Sequence, residues 1–265
     1  MSIAEKLATI AENEQRVYNK GFEDGKAEGG NTEEAYNKGV ADGKQAEYNS
    51  FWDSAELNPA NGTVSYYYTF AGKLWNDTTF IPKYNIVGKG NIEGTFMRSY
   101  ITDLKAILQR ENKTMDFSGN NYITGLFRQS NITHIPALKF TEALNFQHLF
   151  NGCANLHTID ELDIGEKATY IYQMFNGCSA LENVIFKGTL QCNGLTLNNS
   201  TKLSKASIES LINCLSASTS GLSVTLSSAS VKKAFETSSG ANDGNTSDEW
   251  KNLIATKSNW TITLS

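Results

Sequence analysis

Histidines are the side chains best suited to acid–base chemistry or metal binding near neutral pH, and the chain has three of them. They are His134, His148 and His157. None accompanies a serine or cysteine in the strand–turn–helix pattern that exposes a catalytic nucleophile. His157 precedes Asp160, Glu161 and Asp163, and such a cluster of imidazole and carboxylate groups could bind a metal ion. The alternative, which the sequence favours, is a solvated polar face of a strand.

Other patterns with chemical meaning are equally sparse. The triple Tyr66–Tyr68 could stack on a sugar ring, but buried strand aromatics are the commoner explanation. No spacing of acidic residues singles out the carboxylate pair that glycoside hydrolysis needs. We therefore predict no catalytic residues, no metal site and no cofactor, and a protein that is not an enzyme.

The cysteines also indicate structure rather than chemistry. The four are Cys153, Cys178, Cys192 and Cys214. No two have the spacing of a zinc or redox motif, and four are too few for a disulfide framework in a chain of 265 residues. We expect reduced, buried thiols that pack as small apolar side chains.

Composition and charge exclude several classes of protein. Hydrophobic residues make up 40% of the chain, which is enough to build a core. The net charge is -5, and residues 1–50 carry -4 of it, with 10 acidic and 6 basic side chains. The near-neutral remainder argues against nucleic-acid binding. No apolar run approaches the roughly 18 residues of a membrane span, so no membrane insertion is expected. The opening residues lack a signal-peptide pattern, which predicts synthesis in the cytoplasm.

Residues 1–57 are predicted to be a helical segment for oligomerisation or docking. Four apolar residues follow a heptad-like seam: Ile3, Leu7, Ile10 and Val17. The sequence at 18–28 recurs at 36–47, and each copy carries two glycines four residues apart. These glycines are Gly21, Gly25, Gly39 and Gly43. Regular helical glycines suggest close approach of another helix, and the seam favours a coiled-coil homotrimer. The alternative is a flexible glycine-rich linker.

The middle of the chain repeats a phenylalanine-centred unit. The anchors Phe96, Phe127, Phe150 and Phe175 are separated by 31, 23 and 25 residues. In the last two units Cys153 and Cys178 occupy equivalent positions, followed by Leu156 and Leu181. Units of this length that cannot bury their own apolar face are typical of stacked repeats. A disulfide between the two cysteines is geometrically possible but not expected in a protein made in the cytoplasm.

The predicted fold class is α+β, with the N-terminal helical segment followed by a short, capped leucine-rich-repeat solenoid. A strand-rich N-terminal cap is expected over residues 58–93, the repeats over 94–190 and an α/β C-terminal cap over 191–265. In this last cap the patterns predict a helix over Ser207 to Leu215, a strand over Leu222 to Leu226, a helix after Ser247 and a closing strand at 260–265.

Two sets of residues support a resemblance to known families. LFNGCANLHTI (149–159) and MFNGCSALENV (174–184) resemble the core of BspA-like leucine-rich repeats. The opening MSIAEKLATIAENEQRVYNKG, the segment FAGKLWNDTTFIPKYNI and the closing ANDGNTSDEWKNLIATKSNWTITL resemble proteins encoded in phages and prophages of gut bacteria, often among tail genes. The resemblance implies a component of the virion and brings no catalytic residues with it.

The expected function is therefore that of a phage virion structural protein, such as a tail-fibre or baseplate component. Its expected partners are further copies of itself, other virion proteins and a host-cell surface receptor or glycan. One alternative is a bacterial surface adhesin of BspA type, which would need an export signal and an anchor. Another, less favoured, is a glycan-degrading enzyme of the tail tip.

Overall fold

In the computed structural model the described residues are Phe51 and residues 69–73, 75–88, 91–235 and 247–265. The chain divides between Asn58 and Pro59, and every described residue except Phe51 belongs to the second unit. The predicted seam and glycines of the helical segment lie outside the described residues, as does Tyr66–Tyr68. These residues are Ile3, Leu7, Ile10, Val17, Gly21, Gly25, Gly39 and Gly43.

The described part contains short helices and shorter strands. The helices are α1 (Leu104–Arg110), α2 (Lys205–Cys214), α3 (Ser228–Phe235) and α4 (Asp248–Ala255). The strands are β1 (Ile86–Val87), β2 (Met115–Asp116), β3 (His134–Ile135), β4 (Leu138–Lys139), β5 (Thr158–Asp163), β6 (Asn183–Lys187), β7 (Leu195–Leu197), β8 (Leu222–Leu226) and β9 (Trp260–Leu264).

The strands form three separate parallel sheets of two, four and three strands. The first pairs β1 with β2, the second places β5 against β3, β4 and β6, and the third has the order β7–β8–β9. No single sheet runs through the described residues, as a solenoid of repeats requires. The described residues thus have a mixed α/β fold, and the prediction of a capped leucine-rich-repeat solenoid is wrong.

Local sequence explains why the sheets stay small. Pro136 has no backbone N–H to donate and follows β3, so β3 and β4 pair separately with β5. Between β5 and β6 the register shifts after Ile159, where Asp160 and Glu161 lie opposite the single residue Ile185. The unequal spacing of the repeat units also keeps the sheets small. Units of different length cannot place strands of equal length side by side.

A stack of phenylalanine rings forms the centre of the core. The ring centroids of Phe96 and Phe127 are 5.2 Å apart, those of Phe127 and Phe150 5.6 Å, and those of Phe150 and Phe175 5.2 Å. All four rings are nearly parallel to their neighbours and fully buried. We call these four residues the phenylalanine stack. Leu156 and Leu181 are buried beside it.

The stacked rings sit on hydrogen-bonded turns. The backbone N–H groups of Phe96, Phe127 and Phe150 each donate to the next turn, for example from Phe127 to the Leu149 carbonyl at 3.0 Å. The turns are sharp because left-handed residues flank the phenylalanines, including His148 at φ 57° and Gly152 at φ 77°. The rings therefore stack on a hydrogen-bonded ladder of turns, and these turns alternate along the chain with strands of the first two sheets.

The C-terminal elements follow the sequence closely. Strand β8 has the predicted bounds, β9 closes the chain, and α2 covers most of the predicted helix. Ser247 caps α4, since its side chain accepts a hydrogen bond from the Trp250 N–H. Helix α3 was not predicted.

Of the strand-rich cap expected over residues 58–93, residues 58–68 lie outside the part of the chain that the structure describes. Its described residues are mostly turns, with β1 as the one strand. The Asp77 carboxylate accepts hydrogen bonds from the Thr102 N–H at 2.6 Å and the Asp103 N–H at 3.2 Å. Arg110 at the end of α1 donates to the carbonyls of Asp77 and Phe80. Hydrogen bonds from polar side chains thus hold this segment against α1.

Candidate binding surface

Exposed tyrosines lie in register on one side of the ladder of turns. Single parallel bridges join Asn91 to Tyr122, Tyr122 to Asn145 and Asn145 to Tyr170. Bridged residues of parallel neighbours point to the same side of the backbone. Tyr122 is 58% exposed and Tyr170 48%, and Tyr172 beside them is 50% exposed. We call Tyr122, Asn145, Tyr170 and Tyr172 the tyrosine face.

The bridged residues keep a fixed distance in sequence from the phenylalanine stack. Asn91, Tyr122, Asn145 and Tyr170 each lie five residues before a phenylalanine of the stack. The asparagine at 145 folds back, and its side-chain oxygen accepts a hydrogen bond from the Gln147 N–H at 2.8 Å. Tyr122 and Tyr170, on either side of Asn145, are exposed.

Polar side chains surround the second half of the tyrosine face. The ring of Tyr172 lies 6.4 Å from that of Tyr170 and 6.0 Å, edge to face, from that of His148. The Gln173 amide donates to the Tyr172 hydroxyl at 3.0 Å. Burial, followed by the charge of Arg128, lowers the pKa of His148 below its usual value of 6.5. His148 is therefore mostly neutral at pH 7, so aromatic rings, amides and a neutral imidazole lie together here, with the charged Arg128 close by.

The sequence contains a signal for this face, which is separate from the repeated phenylalanines. Aligning the units on their phenylalanines brings Tyr122 and Tyr170 into one column with two asparagines. An aromatic side chain that alternates with asparagine at a fixed distance from a buried anchor indicates a surface row. The repeated phenylalanines mark the buried column. The exposed column is harder to recognise because its residue type changes from unit to unit.

The eight residues predicted as repeat core all lie in the buried part of the molecule. Besides the phenylalanine stack, Leu156 and Leu181 they include Cys153 and Cys178, which are free and buried. The Cys153 thiol donates to the Phe127 carbonyl at 2.9 Å and the Cys178 thiol to the Phe150 carbonyl at 3.2 Å. Each thiol thus makes the same hydrogen bond to the preceding member of the stack.

Burial keeps these thiols protonated. Loss of solvation raises the pKa of Cys153 from 9.0 to about 11 and the pKa of Cys178 well above 9.0. It also raises the pKa values of Cys192 and Cys214 to about 11. A thiol is reactive as the thiolate, so these environments suppress nucleophilic chemistry.

All four thiols are expected to be inert in the folded protein. At pH 8 an aromatic disulfide reagent should react with fewer than one thiol per chain in buffer, and with four in denaturant. Because the unfolded thiols lose their protons at lower pH than the folded ones, their contribution to stability should fall as pH rises from 9.0 toward 11. Rapid labelling of Cys153 or Cys178 in the native protein would contradict the buried placement.

The structure does not gather the acidic residues near His157 into one cluster. His157 pairs with Glu182, with Nδ1 and Oε2 3.5 Å apart, whereas an Asp163 oxygen accepts from the Gly165 N–H. Asp160 instead contacts His134 Nε2 at 2.9 Å and Lys105 Nζ at 2.8 Å. Within the described residues no group of three or more histidine, cysteine, aspartate or glutamate side chains could hold a metal ion.

The Asp160 contacts form a polar network across adjacent turns. Burial acts to raise the pKa of Asp160, but hydrogen bonds from His134 and Lys105 outweigh it and hold the pKa below its usual value. Asp103 lies on the other side of the imidazole, with Oδ2 3.7 Å from Nδ1. These side chains bond to one another at a bulge in β5, and their arrangement is that of a structural network.

Comparison with known proteins yields no relative from which a role could be carried over. No family model matches the chain, and no curated protein or solved structure matches it either. Among the helices that the structure describes, none has the length and apolar character needed to cross a bilayer.

Proposed function

We propose that the chain is a non-enzymatic component of a phage virion that binds a host-cell receptor or another virion protein through the tyrosine face. Residues 1–57 join copies into a homo-oligomer, with a trimer favoured. The observation that carries the proposal is the row of exposed tyrosines held in register above a fully buried phenylalanine stack.

The physical argument concerns the cost of ordering a binding surface. Tyrosine offers a large contact area with few rotatable bonds, and it combines an apolar ring with a polar hydroxyl. A surface whose backbone is already fixed loses little conformational entropy when a partner docks. The hydrogen-bonded turns beneath Tyr122, Asn145 and Tyr170 provide such a fixed backbone. The resemblance of the chain to phage-encoded proteins suggests the particle as its location.

Purified particles test this proposal. In a lysogenic strain that carries the gene, prophage induction and density-gradient purification should yield particles that contain the chain, at a constant ratio to a major tail protein by quantitative mass spectrometry. The control is the same strain with a stop codon early in the gene, whose particles should lack the peptide signal.

Two results would contradict the proposal. One is particles with a complete set of tail proteins and no trace of this chain. The other is recovery of the chain in the cell-envelope fraction of uninduced cells, which would favour a bacterial surface protein.

A further inference from the structure

We infer that the tyrosine face binds a linear, uncharged glycan, with one sugar ring against Tyr122 and another against the Tyr170–Tyr172 pair. This inference rests on the proposed function and names the class of ligand that the same surface takes. It is carried by the spacing, the chemistry and the rigidity of the face.

The spacing fits a repeating polymer. Tyr122 and Tyr170 are separated by one intervening turn, that of Asn145. Neighbouring parallel strands lie about 4.8 Å apart, so the two tyrosines are about 10 Å apart along the stack. A polymer that runs across the turns would meet an aromatic ring, an amide and a second aromatic ring in order. An extended oligosaccharide places alternate sugar rings at a comparable interval.

The chemistry of the face suits a sugar ligand. Its four side chains are phenols and an amide, and neighbouring Gln147 and Gln173 add further amides. His148 is neutral at pH 7 because its pKa is lowered. The charged Arg128 lies close enough to His148 to lower the pKa of its imidazole, and Lys167 and Glu142 pair with each other at 2.6 Å. Sugar rings present C–H groups that stack on aromatic faces and hydroxyls that bond to amides and phenols.

The shape of the face also favours a glycan over a protein as its partner. Protein interfaces bury a broad apolar centre surrounded by a polar rim. Here the exposed aromatic groups form a narrow row, interrupted by Asn145, whose amide oxygen is bonded to the Gln147 backbone. The Tyr170 and Tyr172 rings are tilted by 36° to each other and make a shallow corner rather than a flat patch. A narrow row suits a chain of single rings.

The experiment uses the full chain and an array of defined oligosaccharides. The array carries gluco-, manno-, galacto- and N-acetylglucosamine oligomers of increasing length, together with sialylated and uronic-acid oligomers of matched length. At least one neutral series should bind, with affinity rising until the oligomer spans both tyrosines. Tyr122→Ala and Tyr170→Ala should each weaken that binding by about tenfold or more.

Two matched variants separate stacking from general damage. Tyr122→Phe keeps the ring and should retain binding to within about threefold of the native chain. Tyr100→Ala removes a tyrosine that is 49% exposed but lies outside the face, and it should leave binding unchanged. Near-ultraviolet circular dichroism confirms that each variant is folded.

The inference is overturned if no neutral oligomer binds, if only acidic oligomers bind, or if the alanine variants bind as the native chain does. In those cases a chain that is present in purified particles would still support the proposed virion role, with a protein as the partner. Conversely, tyrosine-dependent glycan binding by a chain absent from particles would support the inference and reject the virion role.

Discussion

Phe150→Ala is expected to lower the free energy of unfolding by about 3–5 kcal/mol, the range typical of a buried phenylalanine truncated in a core. Phe150 is fully buried and stacks on two neighbours, Phe127 at 5.6 Å and Phe175 at 5.2 Å. Its removal opens a cavity in the middle of the phenylalanine stack. Because backbone hydrogen bonds fix the turns on either side, the cavity cannot close by a simple shift of one turn.

Urea denaturation followed by circular dichroism measures this effect. The matched control is Tyr122→Ala, which removes an aromatic side chain that is 58% exposed in the same ladder of turns. It should change the free energy of unfolding by less than about 1 kcal/mol, as surface substitutions usually do. Equal losses for the two variants would contradict the assignment of the buried and exposed columns.

Gly188→Ala should destabilise the chain by about 2–5 kcal/mol, combining about 1–2 kcal/mol for a left-handed backbone with about 1–3 kcal/mol for overpacking. Gly188 has φ +82°, and an added Cβ would lie 2.5 Å from the Gly165 carbonyl oxygen and 2.7 Å from its nitrogen. Both contacts are to backbone, which cannot move aside as a flexible side chain could.

Gly221→Ala is the control for this prediction. Gly221 has a similar left-handed φ of +74°, but nothing lies within 4 Å of the position that a Cβ would occupy. Only the conformational term of about 1–2 kcal/mol should remain. Parallel thermal and urea unfolding of both variants isolates the steric contribution, and indistinguishable losses would show that the backbone at Gly165 is not packed against Gly188.

Part of this molecule could be predicted from local sequence. Strand β8 and the Ser247 cap of α4 depend on patterns within a few residues, namely an apolar run and a serine before a helix. The equivalence of Phe150 and Phe175 depends on a repeated motif, and their rings do stack. Such features are encoded where they occur, so a single sequence is enough to find them.

The arrangement of the sheets could not be predicted in this way. The repeat suggested one continuous series of strands, but pairing depends on register between residues far apart in the chain. The interruption at Pro136 and the extra residue of the Asp160 bulge act only when two strands meet. The pattern of buried phenylalanines is compatible both with a solenoid and with the three separate sheets observed.

The tyrosine face illustrates a different difficulty. Buried positions have a strong signal because apolar residues recur there, whereas exposed positions accept many side chains. Tyr122 and Tyr170 alternate with asparagines, so a search for one repeated residue type passes over them. Their relation becomes visible when the parallel bridges place them on one side of the turns.

In our proposal the tyrosine face is the surface through which the chain meets its partner. The most direct test is to introduce Tyr122→Ala and Tyr170→Ala together into the prophage gene and compare the induced particles with native ones. The account predicts either a loss of particle assembly or normal particles that adsorb to host cells at least about tenfold more slowly. Normal assembly together with native adsorption, from a double variant that folds as the native chain does, would contradict it.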